Sequence, residues 1–291
     1  MSTPREPLRA QVLQQMLVGP GLPLRRVEVV EESTSTMVEL AAARRADPEA
    51  WPTPSLLVAE HQSAGRGRAG RSWQTAPRAA LLASILLRPQ VPAAALTWLP
   101  LLAGLATVRA VRATAGVEAV LKWPNDVLVE IPGAEPVDGW GTLRKLGGIL
   151  TEVQPDGTVV LGVGVNVSQS LDELPVGTAT SLALAGAATL DREVLLVALQ
   201  EAFSQVAERW RDADGDALAA GLADEVAQVC ATLGAQVAIE RVDGSVLVGE
   251  AVGIGAAGEL VVRPDGSAHG DDDLVAVVSG DVRHLRLDGG R

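Results

Sequence analysis

Phenylalanine, tyrosine, lysine and asparagine are almost missing from this 291-residue chain. It has one Phe and no Tyr, its only lysines are Lys122 and Lys145, and its only asparagines are Asn125 and Asn166. These residue types share A/T-rich codons, so their scarcity beside abundant Ala, Gly, Val and Arg fits a GC-rich gene. On that background a retained Lys or Asn carries more information than usual. Cys230 is the single cysteine, which excludes a disulfide framework and a thiolate metal cluster. The histidines, His61, His269 and His284, are far apart and lack metal-ligand spacing. Positive charge is also short. A net charge of −12 argues against a general nucleic-acid binder, since phosphate contacts need clustered cations. The first residues lack the apolar stretch of a signal peptide. The uncharged run at 91–108 is broken by Pro92 and Pro100 and leads into Arg109 and Arg112, so it reads as a buried helix and not a membrane span. These features predict a cytoplasmic protein without a membrane partner.

What is present is enough for a large core: 47% of residues are hydrophobic and 21% charged, which excludes a disordered chain. Acidic residues are absent between His61 and Val117, whereas Arg66, Arg68, Arg71, Arg78, Arg88, Arg109 and Arg112 fall there. A cationic island in an acidic protein suggests a local anionic ligand. Periodicity predicts helices over 5–18, 35–46, 94–115 (stopped by Gly116), 190–211 and about 214–229. The second of these is capped by the Ser/Thr run at 33–36. Strands are predicted at 27–30, 56–59, 80–87, 117–122, 127–130, 145–153 and 158–165, with loops at 61–78 and 132–141. From Gly234 onward, short Val-rich runs at 237–241, 246–254, 259–263 and 274–279 predict a small antiparallel barrel. The chain is thus expected to divide into an extension (1–24), an α+β domain with a mixed sheet (25–231) and a β domain (232–291).

Four motifs carry chemistry. Gln62-Ser-Ala-Gly65-Arg66-Gly67-Arg68-Ala-Gly70-Arg71-Ser-Trp73 alternates glycine with arginine, exposing backbone N–H groups beside guanidinium forks that grip carboxylate or phosphate. It lacks the Gly-Lys-Ser/Thr ending of a P-loop. Lys122-Trp123-Pro124-Asn125-Asp126 joins two apolar strands and uses one scarce lysine and one scarce asparagine. A strand-end lysine can neutralise charge developing on an acyl phosphate, and the nearby Asp can orient it or hold Mg²⁺. Arg144-Lys145-Leu-Gly147-Gly148-Ile-Leu-Thr-Glu152 and Gly162-Val-Gly164-Val-Asn166 hold the other two scarce residues. Glycines on a strand let a ligand approach the backbone, although either segment alone could be an ordinary core strand.

Taken in order through about 27–284, these motifs resemble the biotin protein ligases, the biotin–[acetyl-CoA-carboxylase] ligase family. The resemblance implies a class II aminoacyl-tRNA synthetase-like catalytic domain followed by an SH3-like barrel, whose closing strand would be Ser279-Gly-Asp-Val-Arg-His-Leu. It also implies a two-step reaction. Biotin and MgATP give biotinyl-5′-AMP, and biotin then passes to a lysine of a biotin carboxyl carrier protein. Carried over position by position, Gln62, Gly65, Arg66, Gly67 and Arg68 belong to a loop closing over biotin. Lys122 contacts the reacting oxygens, with Arg66 and Arg68 beside it, and Gly162 and Gly164 offer backbone to the biotin rings. Arg68, Arg71, Trp73, Asn125, Asp126, Lys145 and Asn166 serve the nucleotide, and Asp126 the Mg²⁺. The family's Ser-Thr-Asn is replaced here by Glu32-Ser33-Thr34-Ser35-Thr36-Met37. The biotin contact therefore falls on Ser33-Thr34-Ser35 or on Ser35-Thr36-Met37, with Ser35 and Thr36 preferred. The catalytic pattern begins by about residue 27, too early for the winged helix of repressor-type relatives, so no DNA partner is expected; a homodimer is. A lipoate or octanoate ligase of the same fold and a non-enzymatic Arg/Gly RNA-binding module are the competing readings.

Overall fold

The computed structural model describes residues 5–131, 133–241, 244–266, 273–278 and 280–284. Its elements in chain order are α1 (Ala10–Leu17), β1 (Arg26–Ser33), α2 (Thr36–Ala46), β2 (Ser55–Gln62), β3 (Gly65–Arg66), β4 (Ser72–Trp73) and β5 (Ala80–Leu87). There follow α3 (Leu99–Ala115), β6 (Ala119–Lys122), β7 (Asp126–Glu130), β8 (Leu143–Val153), β9 (Val159–Asn166), α4 (Arg192–Asp212) and α5 (Leu222–Val229). The last strands are β10 (Gln236–Glu240), β11 (Val246–Ile254), β12 (Leu260–Pro264), β13 (Val275–Val277) and β14 (Asp281–His284). Seven strands form a mixed sheet in the order β1-β2-β5-β9-β8-β7-β6, parallel only between β1 and β2. Five more form an antiparallel sheet in the order β13-β12-β11-β10-β14. The α+β expectation holds, with a small barrel-like β unit at the C-terminal end.

Alternation along β5 and β9 places the site. Leu81, Ala83 and Ile85, with Val159, Leu161, Val163 and Val165, face the main core built on α3 and α4. Successive strand side chains point to opposite faces. The other face therefore carries Leu82, Ser84, Gly162, Gly164 and Asn166, most of them small, and these line a cavity. Beyond it, Leu86 and Val160 pack under α2 with Met37, Leu40 and Trp51. The sheet lies close on α3: a Cβ on Gly104 would stand 2.4 Å from Leu121 Cδ1. The stretch 93–115 is long and apolar enough to cross a membrane, and 67% of its most apolar window is buried within the fold. It is a core helix, entered by a 3-10 turn at Ala93–Trp98 and stopped at Gly116 in the left-handed conformation.

Several boundaries differ from the sequence expectation. The first helix begins only at Ala10, with Arg9 as its extended N-cap residue, while Arg5 and Arg9 bond to Glu173 and Glu193. The stretch 214–221 is a series of turns held by Asp216, whose carboxylate accepts from Leu218 N and Ala219 N, so α5 starts only at Leu222. On α4, Leu195, Leu196, Leu199, Phe203, Val206 and Trp210 are buried, whereas Val194 is exposed. No Ser or Thr side chain caps α2. Gln62 Oε1, at the end of β2, accepts from Thr36 N at 2.8 Å and does the capping. The expected closing strand is present as β14; its Ser279 and Leu285, like His269, lie outside the described residues.

One buried ion pair fixes the N-terminal segment to the sheet. Arg192 Nη1 lies 2.6 Å from Glu60 Oε2, and the two side chains are 5% and 3% exposed. Leu8 N donates to Glu60 Oε1, and Arg192 Nη2 to the Glu6 carbonyl. Arg192→Leu would leave the Glu60 carboxylate buried without its counter-charge. The expected loss of unfolding free energy is about 3–5 kcal/mol, measured by urea denaturation.

Candidate active site

A cavity of about 460 Å³ opens on the small-residue face of the mixed sheet. Its floor is β5, β8 and β9, one wall is the start of α2, and the Gly/Arg segment forms another. A third wall combines the β6–β7 turn with Trp140, and β14 closes it through Arg283. All four scarce residues, Lys122, Lys145, Asn125 and Asn166, line the cavity. The chain brings them there because β6 and β7 form a hairpin, with Lys122 opposite Asp126, and β8 lies beside β7.

The cavity is strongly cationic. Arg66, Arg68, Arg71, Lys122, Lys145 and Arg283 line it, against Asp126 as its one acidic lining residue among the described residues. Lys122 is 6% exposed, and burial, reinforced by Lys145, Arg71 and Arg283 against the opposing pull of Asp126, lowers its pKa to about 8. Lys145 Nζ donates to Asp126 Oδ1 at 2.6 Å and lies 5.8 Å from the Trp73 ring. Burial also lowers the Arg68 pKa, and Arg68 Nη1 donates to Asn125 Oδ1 at 3.2 Å. Such a surplus of desolvated cations favours a polyanion.

The Gly/Arg segment is a short hairpin and not the open loop expected. Gly65 pairs with Trp73 and Arg66 with Ser72, and Ala69 at φ 52° turns the chain in the left-handed region. Arg66 makes a 2.9 Å ion pair with Glu152. Gly65 does not line the cavity among the described residues. A Cβ there would stand 2.4 Å from the Trp73 carbonyl oxygen, so glycine is needed for the hairpin to close. Gly67 does line it.

At the other end, Ser35, Thr36 and Met37 line the cavity, whereas Thr34 is tied to Glu39 outside it. Thr36 Oγ1 donates to Gln62 Oε1 at 3.0 Å and lies 2.7 Å from Ser84 Oγ. The glycines of β9 are covered by side chains: a Cβ on Gly162 would meet Met37 Sδ at 2.6 Å, and one on Gly164 would meet Trp73 Cε2 at 3.0 Å. Trp73 Nε1 is buried with no hydrogen-bond partner among the described residues. Two scarce amides are occupied within the fold. Asn125 Nδ2 donates to the Ile149 carbonyl, and Asn166 Nδ2 donates to the Thr180 carbonyl while its Oδ1 accepts from Gln169. Asn166 therefore anchors the segment after β9, which supplies Pro175, Val176, Thr178 and Ala179 to the cavity.

Trp140, Arg283, Ser84 and Thr178 line the cavity without having been singled out in the sequence. Trp140 carried a usable signal, as one of six tryptophans in a chain with few aromatics. Arg283 had none, because its approach depends on how the C-terminal sheet sits. Among the described residues no group of three or more His, Cys, Asp or Glu could hold a metal ion. No Cys or His lines the cavity among them either, so the arrangement fits positioning and charge stabilisation better than nucleophilic catalysis by a side chain. Gly65→Ala tests the hairpin: tryptic cleavage within residues 66–71 should accelerate severalfold while the melting temperature changes little.

Comparison with known proteins gives a consistent result. The pattern of the biotin/lipoate A/B protein ligase family matches residues 28–168. The biotin–[acetyl-CoA-carboxylase] ligase of Mycobacterium tuberculosis is 38% identical over 287 residues, covering 97% of each chain. The bifunctional ligase/repressor BirA of Bacillus spizizenii is 33% identical over 192 residues, covering 64% of this chain and 53% of that protein. Among solved structures, the biotin protein ligase of Aquifex aeolicus in complex with biotin and ATP shares the fold. The TM-score is 0.68, with 24% identity over 89% of this chain and 99% of that one. The chain belongs to the biotin/lipoate A/B protein ligase family.

Proposed function

We propose that the protein is a biotin protein ligase acting in two steps. A biotin carboxylate oxygen attacks the α-phosphorus of ATP, and pyrophosphate leaves. The ε-amine of a lysine on a biotin carboxyl carrier domain then attacks the carbonyl of the mixed anhydride, loses a proton and expels AMP. The observation that carries this reading is a cavity in which, among the described residues, five other cations and one carboxylate surround a buried lysine. That is the charge distribution that a carboxylate and a triphosphate require in order to meet.

Roles follow from position. Lys122 faces the reacting carboxylate and α-phosphate oxygens and stabilises the charge that builds on them. Arg66, Gly67, Arg68 and Arg71 cover the adenylate and keep water from the anhydride. Ser35, Thr36, Gln62 and Ser84 offer polar atoms at the α2 end of the cavity, and Met37 over Gly162 supplies the apolar side for biotin. Trp73, whose indole N–H has no partner among the described residues, serves the nucleotide together with Lys145, and Asn125 and Asn166 hold the backbone around it. A Mg²⁺ carried by substrate phosphates needs one or two protein carboxylates, which Asp126 can provide; when bound, it neutralises charge on the leaving pyrophosphate. The same reading makes 25–231 the catalytic domain and 232–291 the C-terminal domain. It also implies a cytoplasmic enzyme and a homodimer joined through a sheet edge, with no DNA or membrane partner.

Incubation with biotin, MgATP and a carrier domain should biotinylate one carrier lysine. Absence of biotin-dependent pyrophosphate exchange would overturn the reading, and activity with lipoic acid in place of biotin would redirect it to the sister reaction. Lys122→Ala should slow adenylate formation by roughly 10²–10³, the usual effect of removing an electrostatic stabiliser. Arg66→Ala and Arg68→Ala should release biotinyl-AMP faster, measured by retention on gel filtration. The pH dependence has a definite sign. Lys122 in the free enzyme is half deprotonated near pH 8. A bound anion favours the ammonium, so biotin binding should take up a proton and weaken as pH rises through that value. Calorimetry in two buffers of different ionisation enthalpy would detect the uptake.

A further inference from the structure

Lys122 lacks the partner that a buried ammonium ordinarily has. Among the described residues it makes no hydrogen bond or ion pair, since the nearby carboxylate, Asp126, is engaged by Lys145 at 2.6 Å. Its ammonium instead lies 4.0 Å from the centroid of the Trp140 ring. Trp140 is placed there deliberately by the chain. Val137 and Gly141 exchange both backbone hydrogen bonds around it. Gly139 and Gly141 flank it at φ +72° and +55°, conformations that side chains disfavour. The buried Arg144 guanidinium then fastens the loop by donating to the carbonyls of Glu135, Gly141 and Leu143. On the far side, His284 N of β14 donates to the Gly139 carbonyl at 3.3 Å.

We propose that Trp140 is a positioning residue for adenylation, its indole face holding the Lys122 ammonium aimed into the cavity until substrate oxygens replace it. This rests on the biotin ligase reading of the site. An aromatic face suits the task better than a carboxylate. It attracts the ammonium by its quadrupole without cancelling the charge, so the full positive charge remains for the carboxylate and phosphate. It also offers no acceptor atom that the substrate must displace.

The groups around Lys122 sharpen the argument. Lys145 from β8, Arg71 from the β3–β4 hairpin and Arg283 from β14 all oppose its protonation, and Asp126 from β7 favours it. His284, also on β14, is held to a pKa of about 4 by burial and by Lys122, and is therefore neutral. Trp140 adds to the one carboxylate in favouring the charged form. Removing it should shift Lys122 toward the neutral amine and loosen its aim.

The two lysines make the test direct. Reductive ¹³C-methylation of the full chain gives two lysine resonances, assigned with Lys145→Arg, whose pH titration reads Lys122 without any activity assay. In Trp140→Leu the Lys122 pKa should fall by about one unit, and in Trp140→Phe it should stay near the wild-type value. In biotin-dependent pyrophosphate exchange, the kcat of Trp140→Leu should fall about tenfold, with KM for biotin and ATP little changed and the alkaline limb moved to lower pH. Trp140→Phe should recover most of the rate. An unchanged Lys122 titration in Trp140→Leu would overturn the proposal even if exchange were lost, and so would wild-type exchange with an unmoved alkaline limb. A wild-type enzyme without exchange would instead overturn the biotin ligase reading, while the titration still judged Trp140.

Discussion

An unneutralised ammonium at the end of β6 is the constraint around which the site is built. Keeping Lys122 charged, buried and free of a carboxylate is unfavourable on its own, and the fold supports it from several directions. Trp123, the next residue, donates its backbone N–H to Thr232 Oγ1 at 3.0 Å and its indole N–H to the Gly258 carbonyl at 2.9 Å. Ala231 N donates to the Leu121 carbonyl on the other side of the lysine. Gly104 lets α3 press against Leu121 from below. The strand end is therefore clamped before and after Lys122, so the side chain has little freedom to turn away from the cavity.

Those clamps make the C-terminal sheet part of the site. Gly258 lies between β11 and β12, and Thr232 precedes β10, where it also meets the His284 ring at 3.2 Å. His284 is held neutral, so its ring nitrogen can accept from the Thr232 hydroxyl without adding another charge beside Lys122. Trp98 repeats the arrangement at the head of α3, donating its indole N–H to the Ala256 carbonyl. Two tryptophans thus fix the 256–258 turn, Trp123 to the β6–β7 turn and Trp98 to the head of α3. Trp123 adjoins Lys122, so its two bonds also hold the position of that lysine.

The four motifs were legible because their residue types are scarce and their spacing is fixed. Lys122, Asp126 and Lys145 line one cavity together with Arg66 and Arg68. The strands were legible through period-two patterning, and the barrel-like end through its Gly-punctuated Val runs. Other features were hidden for identifiable reasons. Gln62 caps α2 from a neighbouring strand, which a search for a local Ser or Thr cap does not find. Gly65 reads as a ligand contact, yet its conformation serves hairpin closure against the Trp73 carbonyl. Asn125 and Asn166 line the cavity, and what the sequence did not show is that each amide also donates to a backbone carbonyl across the fold.

By itself the sequence determined which chemistry is available: a carboxylate- and phosphate-binding set of arginines and lysines, no cysteine or histidine in the motifs, and a strand carrying glycines. These follow from composition, from local pattern and from motif order, all of which are one-dimensional. Only the tertiary structure decided how those charges are disposed. It paired Lys145 with Asp126 and left Lys122 to the Trp140 ring, and it brought Arg283 in from more than a hundred residues away. Charge pairing depends on distances between elements remote in the chain, and those distances are fixed when α3, the mixed sheet and the C-terminal strands pack together.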